Sequence, residues 1–183
     1  MKQQLKPLHL ICVEDELEPN KALISIKDGI ASASNFWACI KLDLRLTSSL
    51  EQDQIDMLNG KYIHKEVWRE IFKCDFLEFD DIQIICHKKG IKRTFDYSAG
   101  TESFVIDNAV LDVKSNGSEP KTEMCFNRSQ LKIIGEIFQE PNLNFSFSRG
   151  GVSTVVFPYE DSGMFALVTP VISSQTNARY FFL

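Results

Sequence analysis

A pattern of strand, helix, strand, turn and strand is written twice in this chain, and that duplication limits the fold more than any other feature. The first copy reads KYIHKEVWREIFKCDFLEFDDIQIICHKKGIKRTFDYS from Lys61, the second EMCFNRSQLKIIGEIFQEPNLNFSFSRGGVSTVVFPYE from Glu123. Ile63, Trp68 and Ile71 correspond to Phe126, Leu131 and Ile134 at a constant offset of 63 residues. Ile82, Ile84 and Gly90 match Leu143, Phe145 and Gly151 at an offset of 61. A repeat of this kind implies a supersecondary unit that packs against its own copy to bury a shared core.

Strand signals dominate the rest. LHLICVE near the N-terminus reads as a strand, and ALISIKDGIASASN alternates on both sides of Asp28-Gly29, the dipeptide of a tight hairpin. WACIKLDLRL continues with period two, Ala38, Ile40, Leu42 and Leu44 on one face, Lys41, Asp43 and Arg45 on the other. TSSLEQDQIDMLNG reads as a polar connection with room for a helical turn. FVIDNAVLDVK reads as a strand, SNGSEPK (Ser115 to Lys121) as a loop, and GVSTVVFPYEDSGMFALVTPVI as a hairpin. Two segments carry the helical period. In His64–Cys74, Val67, Trp68, Ile71, Phe72 and Cys74 fall on one side and Lys65, Arg69 and Lys73 on the other. In Arg128–Gln139, Leu131, Ile134, Ile137 and Phe138 form the apolar side and Arg128, Lys132 and Gln139 a polar strip, with Asn127 and Gln130 spaced as a capping box. Two amphipathic helices among eight or more strands predict an α+β domain of two strand-helix-strand repeats, its antiparallel sheets carrying both helices on one face. The expected domain covers residues 1–172, with half-repeats at about 8–98 and 104–172 and a tail at 173–183.

Composition narrows the function. A length of 183 residues with 44% hydrophobic content suits one ordinary domain, and a net charge of -5 argues against a surface basic all over while leaving room for a local basic patch. MKQQLKPLHLICVEDELEP holds no apolar run long enough for a signal-peptide core, and no segment approaches a membrane span. Cys12, Cys39, Cys74, Cys86 and Cys125 are odd in number and lie in apolar stretches, which predicts reduced, buried thiols and a cytoplasmic protein. There is no GxxxxGK[ST] loop, no GxGxxG after a strand, no HExxH and no CxxC pair. His9, His64 and His87 are scattered, and adjacent Cys86 and His87 point to opposite faces of a strand. Acidic pairs at Glu14-Asp15 and Asp80-Asp81 read as turn residues; their other reading, Mg²⁺ ligands of a nuclease, is the less favoured one. The reading is therefore non-enzymatic, with no catalytic residue, metal or cofactor.

The order and spacing of these elements resemble the DNA sliding clamps, specifically the DNA polymerase III beta subunit, over roughly residues 8–172. Three stretches carry the resemblance: ALISIKDGIASASNFWACIKLDL, the helix-strand unit after Tyr62, and FNRSQLKIIGEIFQEPNLNFSFSRGGVSTVVFPYEDSGMFALVTPVI. The resemblance implies helices lining the inside of a ring, sheets outside, and a processivity or partner-recruitment role in DNA replication. It makes Lys65, Arg69, Lys73, Arg128 and Lys132 DNA-facing residues that meet duplex phosphates without reading sequence. It also implies a groove for short peptides of replication or repair proteins, to which Leu167, Val168, Pro170 and Ile172 correspond. Thr169 stands where that family usually has methionine, and the basic residue expected after the proline is absent. Clamp subunits contain two or three such domains and this chain one, so a closed ring implies a homo-oligomer. The alternative is a clamp-fold adaptor from a phage or mobile element that does not encircle DNA. In the tail, Gln175, Ala178, Phe181 and Phe182 share the spacing of peptides that bind eukaryotic clamps.

Overall fold

Asp28 and Gly29 turn the chain with φ of 52° and 78°, the paired positive values of a hairpin turn that matches the right-handed twist of its strands. The computed structural model describes residues 5–100, 126–147 and 154–170. On this turn it builds β1 (Leu23–Lys27) and β2 (Ile30–Ser34), and β3 (Ala38–Asp43) adds beside β2 with Ile40 opposite Ala33. The alternation predicted strand through Leu46, but the strand stops at Asp43. The Asp43 carboxylate accepts from Arg45 N at 3.0 Å and opens the short helix α1 (Leu44–Thr47), the usual work of an aspartate N-cap. The polar connection holds a second helix, α2 (Gln52–Met57). There Gln54 accepts from Glu51 N at 2.9 Å and donates to Leu77 O at 2.8 Å.

The first copy of the repeat supplies β4 (Tyr62–His64), α3 (Lys65–Ile71), β5 (Phe76–Phe79), β6 (Gln83–Lys88) and β7 (Ile91–Asp96). The second supplies α4 (Arg128–Phe138), β8 (Asn144–Phe147), β9 (Thr154–Phe157) and β10 (Met164–Val168). Strands β5-β6-β7 form their own antiparallel sheet, and a seven-stranded sheet runs β4-β1-β2-β3-β10-β9-β8. The larger sheet is close to a palindrome. Two three-strand meanders meet at the antiparallel β3–β10 pair, with Ile40 opposite Ala166 at its centre. The second copy's strands thus pair with β3, and of the first copy's strands only β4, at the far edge, lies in the same sheet.

One core lies between these sheets and the two long helices. Ile24, Ile26, Ile40, Leu42, Val156, Ala166 and Val168 face it from the large sheet, Leu77 and Ile84 from the small one. Trp68 and Ile71 of α3, with Ile134, Ile137 and Phe138 of α4, close it with no exposed surface. Their spacing is that of the apolar stripe read from sequence.

Two expectations are corrected here. LHLICVE is not a strand but contains a 3₁₀ turn, Leu8–Leu10. Leu5, Leu8 and Ile11, three residues apart, are all buried, a helical rather than alternating period, and Pro7 before the turn has no N–H for a sheet ladder. This segment lies against both long helices: Lys6 O accepts from Trp68 Nε1 at 2.9 Å, and Lys6 Nζ donates to Phe138 O at 3.2 Å, the carbonyl end of α4. A cation at that end also meets the helix dipole favourably. The second correction is at Cys74 and Cys86, read as separate thiols, which form a disulfide with Cα atoms 5.9 Å apart. Pairing of β5 with β6 sets Cys86 opposite Leu77, which returns it to the end of α3, where Cys74 lies. Cys12 and Cys39 are buried thiols, and burial pushes the Cys12 thiol up to about 12. Cys125, FVIDNAVLDVK, SNGSEPK and the tail lie outside the described residues. Among those described, no helix is long and apolar enough to cross a membrane.

Candidate nucleic-acid interface and peptide groove

α3 starts where His64 Nδ1 accepts from Glu66 N at 3.3 Å, and α4 where Asn127 Oδ1 accepts from Ser129 N at 2.9 Å. The capping box of α4 is only half made, because the Gln130 side chain turns to Asn35 Nδ2, 3.3 Å away. With the apolar stripes committed to the core, the basic positions are left on the side of each helix away from the sheets. Lys65 is the least free of them: its side chain is 18% exposed and its Nζ lies 3.3 Å from Glu14 Oε1. Arg69 is 55% exposed and pairs with Glu66 one turn back. Lys73 is exposed beyond the end of α3, its Nζ 4.9 Å from the centroid of the Phe72 ring. On α4, Arg128 is exposed and Lys132 lies 3.9 Å from Glu136. Exposed pairs of this kind are worth about 0–1 kcal/mol, so phosphates can displace them.

The half-buried His9 stands beside this row, its ring 4.8 Å from that of Phe72. Burial first, then the charges of Lys73 and Arg69, lower its pKa from 6.5 to about 4, against the opposing pull of Glu66. The folded protein therefore refuses a proton that the unfolded chain accepts. Stability is complete above pH 6.5 and falls as the pH drops from 6.5 towards 4. We expect the parent's Tm to decline more steeply across that window than that of His9→Gln; parallel curves would remove His9 from the account.

At the Leu167–Thr169 end of β10 lies a groove of about 650 Å³ lined by Leu17, Phe36, Trp37, Leu167 and Thr169. Leu17 is 92% exposed, Phe36 and Trp37 each 53%. Of the groove positions predicted from sequence, Leu167 lines it, the buried Val168 alternates into the core, Pro170 is half-buried after the strand, and Ile172 lies outside the described residues. Phe36 and Trp37 do not stand out in sequence, where Trp37 reads as the first residue of the strand WACIKLDLRL. The signal that could have placed them outside is Asn35: its side chain accepts from Trp37 N at 2.8 Å and Ala38 N at 2.9 Å, forming a turn that throws both rings outward.

The acidic positions show turn chemistry. Asp80 Oδ1 accepts from Ile82 N at 2.8 Å and Gln83 N at 2.7 Å, and these bonds hold its carboxyl below the usual range. His87 points away from Cys86 and lies 3.2 Å from Glu78. Among the described residues, no three His, Cys, Asp or Glu side chains gather to hold a metal ion.

No protein-family model and no curated protein matches the chain. Solved structures do. A DNA polymerase sliding clamp from Bacillus subtilis superposes with a TM-score of 0.65 at 9% identity, covering 94% of this chain and 62% of that one. The DNA polymerase III beta subunit of Pseudomonas aeruginosa gives 0.58 at 12% identity, covering 93% and 64%. A Pseudomonas aeruginosa sliding clamp bound to griselimycin gives 0.57 at 13% identity, covering 94% and 64%. The chain thus spans less than two thirds of the length of the clamps it matches. The fold that carries the basic helices and the groove is that of the DNA polymerase III beta sliding clamps.

Proposed function

We propose that this protein is a clamp-type, non-catalytic accessory module of DNA replication. Its helical face follows duplex DNA through phosphates, and its groove receives short peptides of replication or repair proteins. The observation that supports the reading is that Arg69 on α3 and Arg128 and Lys132 on α4 are exposed on a clamp fold, with Lys65 at the start of α3 and Lys73 just past its end, on a chain whose net charge is -5. Residues so placed neutralise phosphates and leave bases unread. The half-repeats at about 8–98 and 104–172 act as a single domain in this reading. In this reading encirclement joins several such domains through edge strands such as β4 and β8 at the ends of the large sheet.

Lys65→Glu with Arg69→Glu tests the DNA-facing assignment. Anisotropy of a labelled random-sequence duplex should show affinity reduced on the order of tenfold at low salt, with a shallower salt dependence, since each lost phosphate contact takes about 0.9 from the slope. Circular dichroism should show the fold intact. Equal binding by parent and variant would falsify the assignment. The exposed aromatic pair at Phe36-Trp37 favours a second reading, a clamp-fold adaptor that recruits proteins without encircling DNA. Light scattering separates the two: a closed assembly supports encirclement, a monomer the adaptor.

A further inference from the structure

We infer that the β6–β7 hairpin is a second phosphate-binding element, which meets duplex DNA beyond the C-terminal end of α3. The inference rests on the proposed DNA contact of the helices and carries it to residues outside them. Lys88, Lys89, Lys92 and Arg93 fall within KKGIKR, the densest run of cations in the chain, and all four are exposed. From Gln83 to Phe95 there is no acidic residue.

The hairpin is braced against the end of α3. Cys86 is bonded to Cys74, and Arg93 Nη1 lies 3.3 Å from Glu70 Oε2. Asp75 N donates to His87 O at 2.9 Å, and the Asp75 carboxylate accepts from Lys89 N at 2.8 Å. Three of these four ties are independent of the disulfide. They carry the row of Arg69 and Lys73 on into the hairpin. The turn itself breaks a local rule. Lys89 and Gly90 have φ of 49° and 77°, and the first place of such a turn favours Asn, Asp or Gly. A left-handed residue other than glycine costs about 1–3 kcal/mol and persists only where its surroundings hold it. Asp75 holds Lys89. A cation wanted only for solubility has no reason to take that place.

The acids around the hairpin leave its lysines charged. Glu66 pairs with Arg69, Glu70 with Arg93, and Glu78 lies 3.2 Å from His87. Asp75 is engaged at the turn, and Asp96 stands opposite Gln83 at the far end of the ribbon. Among the described residues, Lys88, Lys89 and Lys92 form no ion pair. Lys88 and Arg93 share the face of the buried Cys86, whereas Lys92, opposite His87, points to the other face. Cations on both faces suit a polyanion that surrounds the ribbon, not an acidic peptide laid along one side. A two-stranded ribbon enters the major groove of B-DNA, roughly 12 Å wide. Its two faces then meet the phosphates of both walls, and lysines bind these as point charges without reading sequence.

Lysine acetylation of the whole protein, read by mass spectrometry with and without a random-sequence duplex, tests the inference. The duplex should shield Lys88, Lys89 and Lys92 together with Lys132, while exposed Lys27, on the face of the large sheet away from the core, keeps its reactivity. In duplex anisotropy, Lys88→Gln with Lys89→Gln and Lys92→Gln should make the salt slope shallower by about 2.7, three contacts at about 0.9 each. Lys88→Gln with Lys92→Gln leaves the turn untouched and should remove about 1.8. Hairpin lysines that react equally with and without duplex, while Lys132 is shielded, overturn the hairpin contact and leave the helical one standing. Equal shielding by polyglutamate or by single-stranded DNA marks a surface for any polyanion and also overturns it. If the parent binds no duplex at all, both readings fall.

Discussion

Trp68→Ala is expected to lower the unfolding free energy by about 3–5 kcal/mol, the range for truncating a fully buried large aromatic. Trp68 has no exposed surface and is the largest side chain that α3 sends into the core. Its loss opens a cavity beneath the helix and leaves the Lys6 carbonyl without the indole N–H that meets it at 2.9 Å. The Leu5–Ile11 segment loses a tie to α3 at the same time. Because most domains are stable by only about 5–15 kcal/mol, the variant should lie close to its unfolding threshold. Urea denaturation followed by circular dichroism provides the measure, with Trp68→Phe as the milder control that fills much of the space. A loss below about 1 kcal/mol for the alanine variant would show that the core does not depend on this ring.

Reducing Cys74–Cys86 should lower Tm by roughly 6–12 °C. The bond spans a sequence separation of 12 residues, and closing a loop of that size stabilises by about 3 kcal/mol through the entropy it removes from the unfolded chain. For a protein of this length each kcal/mol moves Tm by about 2–4 °C. Scanning calorimetry with and without reductant should show the shift. Cys74→Ala with Cys86→Ala should match the reduced protein and no longer respond to reductant. Under denaturing, non-reducing conditions, Cys74 and Cys86 should resist alkylation while Cys12 and Cys39 react. Alkylation of all four would show the pair to be dithiol in the protein as isolated. In a reducing compartment the bond opens, and α3 is then held by the packing of Trp68 and Ile71 and by the Asp75 N to His87 O bond at 2.9 Å.

What sequence could reveal was local. Asp28-Gly29 fixes a turn by backbone chemistry, and the Trp68–Ile71 and Ile134–Phe138 stripes fix two helices by period, so both stood out. The segment around Leu8 did not, because a short apolar run has no period long enough to separate strand from helical turn. Gln130 has the right spacing to cap α4, but Asn35, from the turn between β2 and β3, outcompetes the cap. Lys65 lies on the predicted basic face, yet Glu14, distant in sequence, draws its charge aside. The surface beside the end of β10 was half legible. Leu167 came from the resemblance of the closing strand to that of the clamps, whereas Phe36 and Trp37 required knowing that the β2–β3 turn faces outward. The Cys74–Cys86 bond and the meeting of β3 with β10 depend on which strands become neighbours, and residue spacing alone does not encode that.

The join at the middle of the large sheet also has a consequence for synthesis. β3 pairs with β10, yet 120 residues separate Asp43 from Met164. At about 5–20 residues per second, a ribosome needs roughly 6–24 s to make the intervening chain. Throughout that interval the nascent β1–β3 meander carries an open edge bearing Ile40 and Leu42, a template for wrong partners. Stalled or prematurely terminated chains would keep that edge indefinitely. Closure of the central sheet therefore waits for Met164–Val168, and the rate of synthesis between Asp43 and Met164 sets how long the β3 edge stays open.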